Sequence, residues 1–274
     1  MPDASGPIGM FDSGVGGLAV LAEVHRLLPA EDLVYVADAA RFPYGSRPAV
    51  ELRERASEIT RALLARGAKL IVVACNTATS AAIAALRAGF DVPFVGMEPA
   101  LKPAAERTLA GRVALLVTPG TAKGEKLAAL VDRYGAEVHV ETVAAAGLAE
   151  AVERGDSTAA RDLVRRYLDP VRRSGADVLA LGCTHYAFLQ PMIEEEAGQG
   201  IAVIEPSDAV ARQVQRVLAA RALLNRRAEA GGVLYLTSGD PQALETALAR
   251  LRAGGTALPE GEVMALEGRT ASAG

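Results

Sequence analysis

The chain has 274 residues, of which 50% are hydrophobic and 23% charged, and its formal net charge is −4. This composition is typical of a soluble globular protein with room for one large or two medium domains. The slight acidity and the lack of any Lys/Arg run disfavour nucleic acid or an anionic membrane surface as a partner. No apolar stretch approaches the ~18 residues of a membrane span, and residues 1–11 lack the features of a signal peptide. We therefore expect a cytoplasmic protein.

Strands and helices alternate along the predicted chain. Short runs rich in leucine and β-branched residues predict eight strands, at 8–11, 33–37, 70–74, 113–117, 137–141, 178–181, 202–205 and 233–237. Apolar residues recur at three- and four-residue spacing in five stretches predicted as helices, at 17–28, 50–67, 125–135, 160–175 and 208–224. Alternating apolar strands and amphipathic helices indicate an α/β fold, with parallel sheets covered on both faces. Ligands of such folds bind at the carboxyl ends of the strands.

The first strand end allows a rival interpretation. Gly14-x-Gly16-x-x-Ala19 follows a strand, and Asp38 ends the next strand, as in a dinucleotide-binding fingerprint. That pattern predicts a nicotinamide-dependent oxidoreductase. Asp12 argues against it, because a carboxylate at the strand tip would repel a diphosphate. A third class, a non-catalytic binding protein using the same strand ends, also remains open.

The two cysteines both follow apolar runs, Cys75 in LIVVACNTATS and Cys183 in LALGCTHYAFL. Two cysteines are too few for a disulfide framework, and they do not have the ligand spacing of a zinc site. A single cysteine in such a run is usually a packing residue. The recurrence of Cys and Thr at two strand ends favours working thiols instead, and a following helix N-terminus would lower their pKa. Two facing thiols could act on opposite faces of one carbon, as inversion of a stereocentre requires.

A weak internal repeat relates the two halves of the chain. Asp12 precedes Cys75 by nearly the same number of positions as Thr118 precedes Cys183. We interpret this as two similar α/β domains facing each other across a cleft, with a single sheet as the alternative. His185, close to Cys183, is a candidate partner for that thiol or for a substrate carboxylate. The Pro/Gly-rich loop at 38–47 is either a plain turn or a second contribution to the cleft.

Six segments occur in the order and spacing of glutamate racemases: FDSGVGGLAVL, DAARFPYG, VVACNTATS, VTPGT, LGCTHYAFL and LTSGDP. The chain resembles that family from about Ile8 to Leu251. The resemblance implies cofactor-independent interconversion of L- and D-glutamate for peptidoglycan synthesis, in a cleft between two pseudo-symmetric parallel-sheet α/β domains. The expected division is 7–97 plus 208–254 for the first domain, 98–207 for the second, and a weakly structured tail at 255–274.

The resemblance also implies residue roles. Cys75 would deprotonate D-glutamate with help from Asp12, and Cys183 would deprotonate L-glutamate with help from His185, itself supported by Glu153. Contacts to the substrate would come from Asp12, Ser13, Tyr44, Gly45, Asn76, Thr77, Thr118, Thr121, Thr184 and His185. No metal and no cofactor are expected. The expected partner is the small-molecule substrate glutamate, and a homodimer is compatible with the family.

The chain departs from the family pattern at two places. Ala187 stands where the family usually has proline, and the stretch before Glu153 is rich in alanine instead of resembling Cys-Pro-Gly. Aspartate racemases and one-cysteine decarboxylases share related machinery. The former lack the DSGVGG opening, and a one-base decarboxylase would not need both thiols.

Overall fold

The computed structural model describes residues 3–134 and 138–266. Within these residues, ten strands form two parallel sheets: β1 Ile8–Asp12, β2 Leu33–Ala37, β3 Leu70–Val73, β4 Phe94–Gly96, β5 Arg112–Val117, β6 His139–Ala144, β7 Val178–Gly182, β8 Ala202–Ile204, β9 Val233–Thr237 and β10 Glu262–Ala265. The first sheet has the order β10-β9-β2-β1-β3-β4, and the second has the order β6-β5-β7-β8. Every strand pair is parallel. The expected fold class is confirmed.

Eleven α-helices connect the strands: α1 Leu18–Leu27, α2 Ala49–Leu64, α3 Asn76–Gly89, α4 Leu101–Arg107, α5 Pro119–Ala122, α6 Glu125–Tyr134, α7 Leu148–Arg154, α8 Ser157–Ser174, α9 Gln190–Ala197, α10 Ser207–Ala220 and α11 Pro241–Ala253, as far as the described residues extend. The five predicted helices correspond to α1, α2, α6, α8 and α10. The sequence pattern missed α3 because its small alanine and threonine side chains give little contrast between the two faces. In the part of the chain described, no helix is long and apolar enough to span a membrane.

The two sheets repeat one arrangement. In the first sheet β1 lies between β2 and β3, followed by β4; in the second sheet β5 lies between β6 and β7, followed by β8. The central strands of each sheet therefore occupy equivalent places, and their carboxyl ends carry the polar residues that the sequence places there. Asp12 ends β1 and Cys75 follows β3, while Thr118 follows β5 and Cys183 follows β7.

Both faces of each sheet are covered by helices. Apolar side chains of α1, α10 and α11 pack on one face of the first sheet, and those of α2 and α3 pack on the other. In the second sheet, α7, α8 and α9 cover one face, and α4 and α6 cover the other. The strands from residues 8–96 and 233–265 lie in the first sheet, and those from 112–204 lie in the second. The exact domain limits stay a prediction.

The expectation of a weakly structured tail is wrong for β10. This strand pairs with β9 at the sheet edge, and the Leu266 N–H donates to the Thr237 carbonyl at 2.7 Å. β10 is held by backbone hydrogen bonds at the sheet edge, and its Met264 is exposed. Its sequence therefore lacks the apolar pattern that predicts a buried strand. The predicted strand at 137–141 is also displaced, since β6 continues to Ala144; residue 137 and residues 267–274 lie outside the described residues.

A buried ion pair fastens the amino-terminal edge of the first sheet. Lys69 Nζ lies 2.5 Å from Glu31 Oε2, and both side chains are almost fully buried. The same ammonium donates to the Ala4 carbonyl at 2.5 Å, and Glu31 accepts the Asn225 N–H at 2.8 Å. The pair therefore joins four segments that are distant in the chain, around residues 4, 31, 69 and 225.

Lys69→Met is expected to lower the free energy of unfolding by about 3–5 kcal/mol, because Glu31 is left as an uncompensated buried charge. Lys69→Met/Glu31→Leu should recover most of the loss. Urea unfolding measures both, with Lys102→Met as the control, since Lys102 and Glu106 form an exposed pair that contributes little. A double variant as unstable as Lys69→Met would contradict this account.

Candidate active site

Cys75 lies at the junction of β3 and α3. Its backbone is extended, and its Sγ caps α3 by accepting the Ala78 N–H at 3.5 Å. Burial raises the pKa of the thiol, and the nearby Asp12 carboxylate raises it further. The expectation of a lowered thiol pKa is therefore wrong for Cys75. The N–H groups of α3 do lower it, but burial and the carboxylate outweigh them.

Cys183 lies at the equivalent place after β7, where a 3₁₀ helix, Thr184–Leu189, begins. Its Sγ is 3.8 Å from His185 Nδ1, and His185 Nε2 is 2.8 Å from Glu153 Oε2 on α7. Burial alone would lower the pKa of His185, but the bonds to Cys183 and Glu153 raise it well above its ordinary value. Burial likewise opposes ionisation of Glu153, yet His185 keeps the pKa of this carboxyl low. Both shifts favour an imidazolium beside a carboxylate, and Nδ1 faces the sulfur.

Asp12 joins the strand ends of the two sheets. Its Oδ2 accepts the Thr184 hydroxyl at 2.8 Å, and its Oδ1 accepts the Ser13 hydroxyl at 2.9 Å and the Gly14 N–H at 3.1 Å. The side chain is fully buried, and burial raises its pKa. The resemblance places Asp12 on the Cys75 side. In the structure its hydrogen bonds extend to the Cys183 segment, while its charge acts on Cys75.

Both thiols line one small cavity between the sheets. The cavity has a volume of about 30 Å³, enough for only a few water molecules. Its walls are Ser13, Phe42, Pro43, Tyr44, Gly45, Cys75, Asn76, Thr77, Thr118, Ala149, Cys183, Thr184 and His185. Most of the expected substrate contacts are thus brought together. Asp12 and Thr121 are not in the wall; Asp12 is bonded to Ser13 and Thr184, and Thr121 is bonded to Thr118.

An unpaired amide and three neighbouring hydroxyls lie together at one corner of the cavity. Both amide atoms of the Asn76 side chain are buried without a hydrogen-bond partner. Such a group costs about 1–3 kcal/mol when unpaired, which is explained if it serves a ligand. Beside it, the hydroxyls of Thr77, Thr118 and Thr121 lie within 3.0–3.4 Å of one another. This corner of the cavity is suited to a carboxylate.

The glycines of the loop after β1 make room for side chains of the protein itself. A Cβ on Gly14 would lie 2.6 Å from the Glu153 carboxylate oxygens, and one on Gly16 would lie 2.5 Å from the Thr184 hydroxyl. Asp38 is bonded to Arg55 at 2.6 Å and to the Tyr44 hydroxyl at 2.6 Å. The structure therefore does not support the dinucleotide interpretation, because the loop and the acidic residue are already occupied.

Sequence reasoning missed Phe42, Pro43 and Ala149 as residues of the cavity wall. The Phe42 ring lies 5.4 Å from the His185 ring at a tilt of 46°. None of the three carries a titratable group, so no chemical signal in the sequence identified them. Within the described ranges, no group of three or more His, Cys, Asp or Glu side chains is arranged to hold a metal ion.

Comparison with known proteins assigns the family. The family model for Asp/Glu/Hydantoin racemase matches residues 8–214. The chain belongs to this family. Glutamate racemase of Methylococcus capsulatus is 51% identical over 247 residues, covering 89% of this chain and 91% of that one. Glutamate racemase of Herpetosiphon aurantiacus is 49% identical over 237 residues, covering 86% and 93%.

The fold is also similar to that of a solved glutamate racemase structure. Escherichia coli glutamate racemase, in complex with L-glutamate and the activator UDP-MurNAc-ala, matches with a TM-score of 0.81 at 33% identity, covering 94% of this chain and 99% of that one. Within the Asp/Glu/hydantoin racemase family, the enzyme is an isomerase of the glutamate racemase group. The resemblance found in the sequence motifs is confirmed.

Gly16→Ala is expected to lower racemase activity by up to about 10²-fold, because the new Cβ displaces Thr184 and His185 from the cleft. Turnover and thermal melting together separate this effect from unfolding. Gly89→Ala is the matched control, since a Cβ there meets nothing within 4 Å. Wild-type turnover by the Gly16 variant would show that the close approach is dispensable.

Alkylation of Cys75 by iodoacetamide is expected to rise with pH at a midpoint above the ordinary thiol value of ~8.5. The thiolate is the reactive form, so a raised pKa moves its appearance to higher pH. Asp12→Asn removes one cause of the shift and should move the midpoint down. Peptide-resolved mass spectrometry measures both, with urea-unfolded protein as the reference. A native midpoint at or below the unfolded one would refute this assignment.

Proposed function

We propose that this racemase transfers protons at Cα of glutamate between two thiols, one on each face of the substrate. The observation that carries the proposal is the equivalent placement of Cys75 and Cys183. Cys75 follows β3 and Cys183 follows β7, which occupy equivalent positions in the two sheets, and both thiols line one cavity. A single base tends to return a proton to the face it left, whereas two bases on opposite faces invert the centre.

The surroundings of the thiols support a division of roles. Nδ1 of His185 lies 3.8 Å from the Cys183 sulfur, and in this proposal that sulfur removes the Cα proton of L-glutamate. Cys75, whose pKa is raised, holds a proton that it can donate to the opposite face. The proton count balances, since Cys183 gains one proton and Cys75 loses one. The reverse reaction starts from the opposite protonation state and converts D-glutamate.

The carbanion between these steps needs electrostatic stabilisation. We propose that the Asn76 amide and the Thr77, Thr118 and Thr121 hydroxyls hold the α-carboxylate next to the N-terminus of α3. Ser13, Tyr44, Gly45 and Thr184 complete the expected contacts from the surrounding wall. Asp12 acts from behind Ser13 and Thr184, where its negative charge favours the substrate ammonium.

The size of the cavity favours motion. Glutamate is much larger than the few water molecules that 30 Å³ can hold, and we propose that the two sheets separate to admit it. Closure then excludes water and strengthens the interactions of the site. No cofactor is part of this mechanism.

Glutamate is favoured as the substrate over aspartate. The relatives near 50% identity are glutamate racemases, and the E. coli structure contains L-glutamate. The Picrophilus torridus aspartate racemase matches at a TM-score of 0.55 and 18% identity, a likeness of fold alone. We propose that the product D-glutamate supplies peptidoglycan synthesis. We place the enzyme in the cytoplasm, whose reducing conditions keep both thiols free. A homodimer stays a prediction.

Cys75→Ser and Cys183→Ser are each expected to lower racemisation by about 10²- to 10⁴-fold, because each removes one of the two proton-transfer groups. Circular dichroism of L- and D-glutamate measures the loss, with L-aspartate in parallel. In D₂O, Cys75→Ser should exchange the Cα proton of L-glutamate only, and Cys183→Ser that of D-glutamate only. Racemisation within tenfold of wild type in either folded variant would refute the two-thiol mechanism.

A further inference from the structure

Helix α11, which packs on the first sheet, contacts helix α7, which carries Glu153 and packs on the second sheet. Arg250, in the last turn of α11, donates from Nη2 to the carbonyls of Val152 at 3.1 Å and Glu153 at 3.0 Å. These carbonyls belong to the last turn of α7, where helix geometry leaves carbonyls short of partners. The Val152 carbonyl also accepts the Gly155 N–H at 3.0 Å, so Arg250 supplies its second hydrogen bond. A cation at this end also interacts favourably with the helix dipole.

The fit between the two helices is close. Gly155 ends α7 with a φ of +70°, and a Cβ there would lie 2.7 Å from the Arg250 guanidinium carbon. A side chain at this position would therefore displace the guanidinium. Glycine permits both the left-handed turn and the approach of Arg250.

Glu153 is fixed from two sides. Its carboxylate accepts the Val15 N–H at 3.1 Å and lies 2.8 Å from His185 Nε2, while Arg250 holds its backbone carbonyl. Val15 and Arg250 both belong to the layer of the first sheet, whereas Glu153 and His185 belong to the second. The carboxylate that holds the histidine beside Cys183 is thus itself held by both α11 and the loop after β1.

We propose that Arg250 is a positioning residue for the Cys183 half of the reaction: it clamps the end of α7 so that Glu153 holds His185 toward the Cys183 sulfur. The inference rests on the two-thiol function proposed above. Arg250 touches neither thiol and is absent from the cavity wall. It acts through Glu153 and couples docking of the two layers to one of the two proton transfers.

Thermodynamics limits how such a role can be observed. L- and D-glutamate have equal free energies in solution, so any variant must lower kcat/KM equally in both directions. The half-reaction affected is revealed by the isotope effect of Cα-deuterated substrate on kcat/KM. Slowing the Cys183 step makes breaking of the L-glutamate Cα bond more rate-limiting, and it makes breaking of the D-glutamate bond less so.

Arg250→Gln tests the proposal. We expect kcat/KM to fall by about 10- to 10²-fold, the isotope effect with L-glutamate to rise, and the effect with D-glutamate to fall. Arg250→Lys keeps the charge but loses the paired geometry, so its effects should be intermediate. Thermal melting confirms folding, and Arg250→Lys provides the test if Arg250→Gln does not fold.

Arg154→Gln is the matched control, because Arg154 lies next to Glu153 on α7 but is exposed. It removes the same charge and should leave both isotope effects unchanged. Unchanged or equally changed isotope effects in the folded Arg250 variants would overturn the proposal, as would an Arg154 variant that behaves like Arg250→Gln. Failure of the two-thiol function has a separate signature, since Cys183→Ser would then still racemise glutamate.

Discussion

The hydrogen bond from the Thr184 hydroxyl to the Asp12 carboxylate joins the carboxyl edges of the two sheets, and the geometry of the site depends on that junction. Each thiol is packed within the core of its own sheet layer. The positions of the sulfurs relative to each other are therefore set only by how the layers dock. The contacts of Glu153 with Val15 and of Gly16 with Thr184 fix the same junction. In the proposed mechanism, the same contacts open when the substrate enters and form again when the site closes.

The two halves repeat in backbone but differ in electrostatics. Cys75 is buried beside a carboxylate, and both raise its pKa; Cys183 faces a histidine held as an imidazolium by Glu153. A reaction between mirror-image molecules does not require equivalent bases. It requires only one proton acceptor and one proton donor on opposite faces. In the proposed mechanism, the proton that the two thiols exchange lies on Cys75 before L-glutamate reacts and on Cys183 before D-glutamate reacts.

Much of the fold and the composition of the site could be predicted from the sequence. Apolar runs ending in polar residues located β1, β3, β5 and β7, and the recurrence of cysteine located the cleft. Features that depend on contacts between distant segments could not be predicted. The pKa of Cys75 depends on Asp12 and on burial, and both outweigh the local effect of α3. Gly14 and Gly16 fit a cofactor fingerprint in the sequence, but in the structure the Glu153 and Thr184 side chains lie against these glycines. β10 forms because it pairs with the free edge of β9. That pairing uses backbone groups and does not require a particular pattern of side chains in β10.

The central claim is that separate groups remove and donate the Cα proton. Its most direct test uses the wild-type enzyme with L-glutamate in D₂O, stopped at low conversion, with the enantiomers separated and analysed by mass spectrometry. The account predicts that the D-glutamate formed carries deuterium at Cα, while the remaining L-glutamate does not. Deuterium in both enantiomers at equal levels, or D-glutamate that retains the original proton, would show that one base serves both faces and would contradict the account.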